Sequence, residues 1–186
     1  AENCVVLENT VSGNGNGIFA DSGTGNTIHH NNLISNAVHA TDNVPNQWDD
    51  GSEGNYWDDY AGTDGDSDGI GDTPYTDIDG GQGAQDSYPL MDPWVPEQPQ
   101  QGGLAAHGPV RINSNADFTQ ANGVVNWATG NGTVWNPWII SDWDISGTGA
   151  GFGMYIANTT EDFVVADCLI HDVTGGAGAN EPYDIN

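Results

Sequence analysis

The sequence predicts an all-β fold, built as a parallel β-helix in two half-solenoids with capping regions. Three observations predict it. "VVLENTVSGN" and "IHHNNLISN" share one spacing, with Val6, Asn9, Val11 and Asn14 matching Ile28, Asn31, Leu33 and Asn36 at an offset of 22. Ile140, Trp143, Ile145 and Thr148 match Val165, Cys168, Ile170 and Val173 at an offset of 25. Asn and Gly stand at the intervals, where tight corners need residues that tolerate the left-handed region. Short strands recurring every 20–25 residues read as stacked coils, because one coil alone cannot bury its inward side chains.

Each coil carries a second apolar pair. These are Ile18 and Ala20, Val38 and Ala40, Met154 and Ile156, and Tyr183 and Ile185. Corner asparagines are expected to adopt the left-handed conformation themselves and to hydrogen-bond to the asparagines above and below. Residues 48–92 lose the repeat and are rich in Trp, Tyr and Asp, so they read as a cap whose lid is Trp48, Tyr56, Trp57 and Tyr60. Residues 93–107 read as a Pro/Gln/Gly linker without a core pattern. Residues 108–137 read as the opposite cap, with "PVRI" a strand and "NADFTQANG" a short helix N-capped by Asn115 and ended at Gly123. The domain reading is therefore 1–92 for an end-type half with its cap, 93–107 for the linker, and 108–186 for a start-type cap and half.

The two ends of the chain continue one another. "EPYDIN" followed by "AENCVVLENT" makes one pattern, so Tyr183 and Ile185 of one coil lead into Cys4 and Val6 of the next. Two arrangements satisfy this. The linker folds back and one chain closes on itself, or the open coil of one subunit stacks on the next and a head-to-tail filament forms. The filament is the favoured expectation, with the protein as its own partner, because two open strand edges invite polymerisation. One period of a longer tandem chain gives the same pattern.

The chain has 27 acidic residues and one basic residue, Arg111, for a formal charge of -26. Nucleic acid and anionic membranes are poor partners for such a surface. No stretch is apolar for long enough to span a bilayer. The sequons at Asn131 and Asn158 are candidate glycosylation sites and fit an exported protein at the cell surface. Cys4 and Cys168 are either two small buried residues or one disulfide. In the repeat register Cys4 shares a column with Phe163, and Cys168 shares one with Trp143 and Asn9, which predicts two buried thiols with no bond between them.

"DGDSDGIGD" has the spacing of a calcium loop. Asp64, Asp66 and Asp68 fall at positions 1, 3 and 5, Gly69 at the turn, the Ile70 carbonyl at 7 and Asp72 at 9. Hard oxygen ligands at alternate positions wrap one side of a Ca²⁺ ion. Position 12 is Tyr75, so a further ligand is expected from Asp77, Asp79, Asp58 or Asp59. Catalysis is not expected. Arg111 is the sole candidate for a lyase base. The coil carboxylates (Glu8, Asp21, Asp142, Asp144 and Asp167) read as scattered, without a repeated column, whereas a hydrolase needs convergent carboxylates. The alternative function class is a carbohydrate-binding or polysaccharide-cleaving module that engages surface glycans.

"GNYWDDYAGTDGDSDGIGDTPY" with "DSYPLM" resembles the C-terminal end of NosD-like right-handed β-helix domains of archaeal surface proteins. "DFTQANGVVNWATGNGTVWNPWIISDWDIS" is similar to the start of the same domains. The resemblance implies a right-handed β-helix with its C-terminal half placed before its N-terminal half. The family's copper association does not carry over on the residues. Methionine numbers only 2, and His29, His30, His39, His107 and His171 show no ligand spacing.

Overall fold

The computed structural model describes residues 3–95 and 103–173. The described residues are all-β with two short 3-10 turns. Its strands are β1 (Val5–Leu7), β2 (Thr10–Ser12), β3 (Asn16–Ala20), β4 (Thr27–His29), β5 (Asn32–Ile34), β6 (Val38–Asp42), β7 (Tyr56–Trp57), β8 (Ala105–His107), β9 (Val110–Ile112), β10 (Trp138–Ser141), β11 (Trp143–Ser146), β12 (Met154–Ile156), β13 (Phe163–Ala166) and β14 (Leu169–His171). All of these strands pair in parallel. One sheet runs β10-β13-β1-β4 and a second β7-β5-β2-β14-β11-β8. Two further pairs, β12-β9 and β3-β6, stand apart. Each repeat thus gives one strand to each sheet and lies as a tier on its neighbour, at about the 4.8 Å of any strand pair.

The register is the one the spacing predicts. Ile140 pairs with Val165, Val165 with Val6, and Val6 with Ile28. In the second sheet Ile145, Ile170, Val11 and Leu33 line up likewise. Of these eight, all but Ile170 are buried, because every second residue of a strand points to the same side. The junction between the two parts of the sequence, β13 on β1 and β14 on β2, is made here within one chain.

The corners hold ladders of amides. Asn31 Oδ1 accepts from Asn9 N and Nδ2, Asn55 Oδ1 from Asn31 N and Nδ2, and Asp86 Oδ2 from Asn55 N at 2.6 Å. A second ladder runs from Val173 N to Asn14 Oδ1 and from Asn14 N to Asn36 Oδ1. A third runs from Cys4 N to Asn26 Oδ1 and from Asn26 N to Asn46 Oδ1. The left-handed residue is not the ladder asparagine but the one before it. Glu8 (φ 59°) precedes Asn9, His30 (56°) precedes Asn31, Asp167 (53°) precedes Cys168 and Asp142 (67°) precedes Trp143. The left-handed residue turns the chain, and the next side chain then enters the interior while its N–H faces the neighbouring tier. A non-glycine residue in this region costs roughly 1–3 kcal/mol, which the ladder hydrogen bonds offset.

Three local expectations are corrected. The start cap holds no continuous helix. Two 3-10 turns, Asn115–Asp117 and Gln120–Asn122, are separated by Phe118 and Thr119, and Phe118 is buried and stacked on Trp138 at 5.7 Å. Asn115 is not an N-cap, since its side chain binds Thr159 Oγ1 and Thr160 N; Gly123 does end the second turn, at φ 79°. The predicted linker is also partly structured. Its last residues form β8 on the edge of β11, a backbone pairing that needs no apolar pattern, and Trp94 exchanges backbone hydrogen bonds with the Asn32 amide. Finally, Glu8, Asp142 and Asp167 are not scattered. They occupy one corner column, each directly before a ladder position, which differing residue types conceal.

Candidate functional site

The acidic loop gathers three of its predicted ligands. Asp64, Asp66 and Asp68 offer carboxylate oxygens within 4.8 Å of one another. Asp64 closes the turn, accepting from the backbone N–H groups of Gly69 (2.9 Å), Ser67 (2.7 Å) and Asp68 (3.2 Å). The Gly69 N–H does most to hold its carboxyl below the usual range, with desolvation opposing and the other two assisting. Asp72 stands outside that trio, its Oδ2 accepting from Gly65 N at 2.9 Å and Thr63 Oγ1 at 3.2 Å. The Ile70 position bridges to Leu90.

Tyr75, at position 12, serves the cap. It is buried, stacked on Trp57 at 4.1 Å, and its hydroxyl donates to Asp59 Oδ2. Burial, and then the Asp59 charge, raise its phenol far above the ordinary value. The carboxylates named as further loop ligands lie elsewhere. Asp58 and Asp59 flank His39 Nε2 at 2.9 and 3.5 Å, and Asp77 and Asp79 line a polar cavity beside it. The lid is aromatic as expected, with Trp48 and Trp57 buried and their indole N–H groups donating to Asp42 Oδ2 and Asp86 Oδ2. Desolvation pushes the buried Asp86 carboxyl up to about 6, against the pull of the Asn55 and Trp57 donors.

Two of the histidines, which show no ligand spacing in the sequence, come together in the structure. His29 and His30 face each other, Nδ1 to Nδ1, at 3.1 Å, and Asp50 Oδ2 stands 3.9 Å from His29 Nδ1. Adjacent residues of a strand point to opposite sides. The positive φ of His30 breaks that alternation and brings the two rings together. No spacing rule shows this, since the signal is the backbone turn. Burial, then the neighbouring His30, lowers the pKa of His29. His171 bonds to Asp144 at 2.7 Å, chiefly responsible for the rise in its pKa.

At the junction Cys4 and Cys168 are buried and not disulfide-bonded, in the predicted columns. Burial pushes the thiols up to about 11 and about 12, with the Phe163 and Trp143 backbone N–H groups pulling the other way. Neither is a nucleophile at neutral pH. Tyr183 and Ile185 lie outside the described residues. Between β12 and β3 there is an apolar cleft of about 50 Å³ lined by Ile18, Met154, Ile156, Val165, Ile170 and Val173. Asn131 and Asn158 are both exposed, and the Asn158 amide donates to Asn113. Arg111 lies over the Tyr155 ring at 4.5 Å and the Phe152 ring at 5.8 Å. Among the described residues no helix is long and apolar enough to cross a membrane. No curated protein and no solved structure matches the chain. A family model described as periplasmic copper-binding protein (NosD) matches residues 1–62, so the chain is similar to that family over the first third of its length.

Proposed function

We propose that this chain is a structural, non-catalytic building block of the cell exterior: a right-handed parallel β-helix that assembles head to tail. The observation that supports it most is the junction column Ile140–Val165–Val6–Ile28, in which residues from both ends of the chain stack in the register that relates neighbouring repeats. Nothing in those contacts requires one molecule. Exchange of halves between copies makes the same contacts and, being head to tail, propagates. In that assembly Cys4 and Val6 of one copy meet Tyr183 and Ile185 of another at the subunit junction. Ca²⁺ held by Asp64, Asp66, Asp68, the Ile70 carbonyl and Asp72 pins the end cap and screens part of the -26 charge.

Light scattering and electron microscopy in calcium and salt test the assembly. Fibres of repeating beads are expected, lost on deletion of residues 1–12. A monodisperse particle of 19.5 kDa overturns the filament and leaves the singly closed domain. Calorimetry on chelated protein tests the ion. Asp66→Ala is expected to weaken Ca²⁺ binding strongly, and equal binding by both proteins removes the site.

One observation favours a second reading. Trp127 and Trp135, 51% and 93% exposed, stand on a single loop of the start cap. Exposed indole faces suit stacking on sugar rings, as a carbohydrate-binding module requires. Affinity electrophoresis in polysaccharide gels distinguishes this, with retardation lost in Trp135→Ala if the reading holds.

A further inference from the structure

We propose that His29, His30 and Asp50 form a binding site for one Zn²⁺ ion, a metal that imidazole suits, with Glu53 as its positioning residue. The proposal does not rest on the assembly reading.

The first support is the bite of the two rings. Two nitrogens bound at roughly 2.0–2.1 Å to one ion stand about 2.9–3.4 Å apart for angles between square and tetrahedral. The Nδ1 atoms of His29 and His30 are 3.1 Å apart. The second is the proton arrangement. His30 Nε2 donates to Glu53 Oε2 at 2.9 Å, which leaves His30 Nδ1 with its lone pair facing His29. A carboxylate on the far nitrogen is the usual partner of a metal-bound imidazole. In the metal-free pair the His29 Nδ1–H donates to that lone pair. An ion between the rings replaces this hydrogen, and His29 then carries its proton on Nε2.

The third support is the orientation of the carboxylate. Asp50 Oδ1 is held by Ser52 N (2.8 Å), Ser52 Oγ (2.7 Å) and Glu53 N (2.9 Å), which leaves Oδ2 turned toward His29. The fourth is rigidity. Trp94 stacks on His30, with ring centres 3.8 Å apart and planes 10° apart, and its backbone is clamped by Asn32. Asp50 is exposed, so an ion has a path in. The His39 group differs, because its single imidazole is already bonded to Asp58 and its other donors are all oxygens.

The test is Zn²⁺ calorimetry on the chelator-stripped full chain in excess Ca²⁺, with Cu²⁺ electron paramagnetic resonance as a second readout. One tight ion is expected. His29→Ala and His30→Ala should each weaken it roughly 100-fold or more, Glu53→Gln by about 10–100-fold, and His39→Ala should leave it unchanged. Nitrogen couplings from two imidazoles should fall to one in His29→Ala. If an alanine variant loses its native circular dichroism, His29→Gln or His30→Gln repeats the measurement. Absence of a tight site, undiminished binding in a folded double variant, or loss of binding in His39→Ala overturns the proposal.

Discussion

The same corner is filled by different chemistry in the two halves of the molecule. In residues 3–95 the inward position is an amide, repeated as Asn9, Asn31 and Asn55. In residues 103–173 it is the Trp143 indole and then the Cys168 thiol. The Cys168 thiol stands where a ladder amide would. Asn9 Nδ2 donates to Leu7 O, two residues back, and to Val165 O in the tier below. Cys168 Sγ faces Ala166 O, also two residues back, at 3.3 Å and Ile140 O at 4.0 Å. Trp143 instead sends its indole N–H into the start cap, to Gly123 O at 2.8 Å. The comparison teaches that the corner demands a side chain that can hydrogen-bond rather than asparagine itself. Asparagine is the residue that also carries a bond onward to the next tier.

The sharpest way to break this comparison is to remove a mid-ladder amide. Asn31→Ala deletes the acceptor of Asn9 and the donor to Val6 O and Asn55 Oδ1, all buried. At about 1–3 kcal/mol for each orphaned group, the expected loss is about 3–5 kcal/mol in chemical denaturation at fixed calcium. A loss below 1 kcal/mol would show that the ladder only decorates the apolar columns.

The carboxylate end of the same ladder gives a pH effect. Asp86 has a folded value of about 6 against an ordinary 3.8, raised by burial. Its protonated form is therefore favoured in the fold. The associated stability is full below about pH 4 and is lost as pH rises through about 6. Two pKa units correspond to about 3 kcal/mol. Asp86→Asn should flatten that part of the stability profile relative to wild type, and an unchanged slope would assign it to other groups.

Cys168→Asn extends the ladder into the second half. Its amide should take the two carbonyls the thiol now faces and accept from Trp143 N, for a gain of about 1 kcal/mol or less. A cost as large as that of Asn31→Ala would mean that the second half excludes amides on volume.

The smallest effect lies on the surface of that half. The raised pKa of His171 adds stability below its ordinary 6.5, lost as pH rises through the folded value. Being only half-buried and screened, the pair should contribute under about 1 kcal/mol, and His171→Gln should remove it. An NMR titration of the ring checks the direction, and a midpoint below 6.5 would contradict it.

The parallel pairing was legible because Val6, Ile28, Ile140 and Val165 are all β-branched and all inward, so like residues recur where the environment is alike. The amide ladder was legible for the same reason. What escaped was whatever the backbone turn decides. The left-handed residues before each ladder position share a conformation but not a side chain, so Glu8, Asp142 and Asp167 read as scattered although the register placed them together. His29 and His30 showed no ligand spacing for the same cause. In the acidic loop the spacing of Asp64, Asp66 and Asp68 was legible. The turning of Tyr75 into the aromatic cap was not, because it depends on Trp57, which the fold brings beside it.

The ladder also has a direction. Each asparagine Oδ1 receives hydrogens from the tier below, and the asparagine's backbone N–H points to the Oδ1 of the tier above, until Asp86, which has only acceptors to offer when ionised. In a polymer chemist's terms Asp86 is an end group: it takes the last hydrogen and hands none on. The length of the molecule is then a matter of composition. A copy of the 22-residue unit inserted between Asn9 and Asn31 brings both a giver and a taker, and should lengthen the stack by one strand spacing of about 4.8 Å. The same copy placed after Asp86 meets a finished end. The molecule is in this sense a ruler, graduated in tiers.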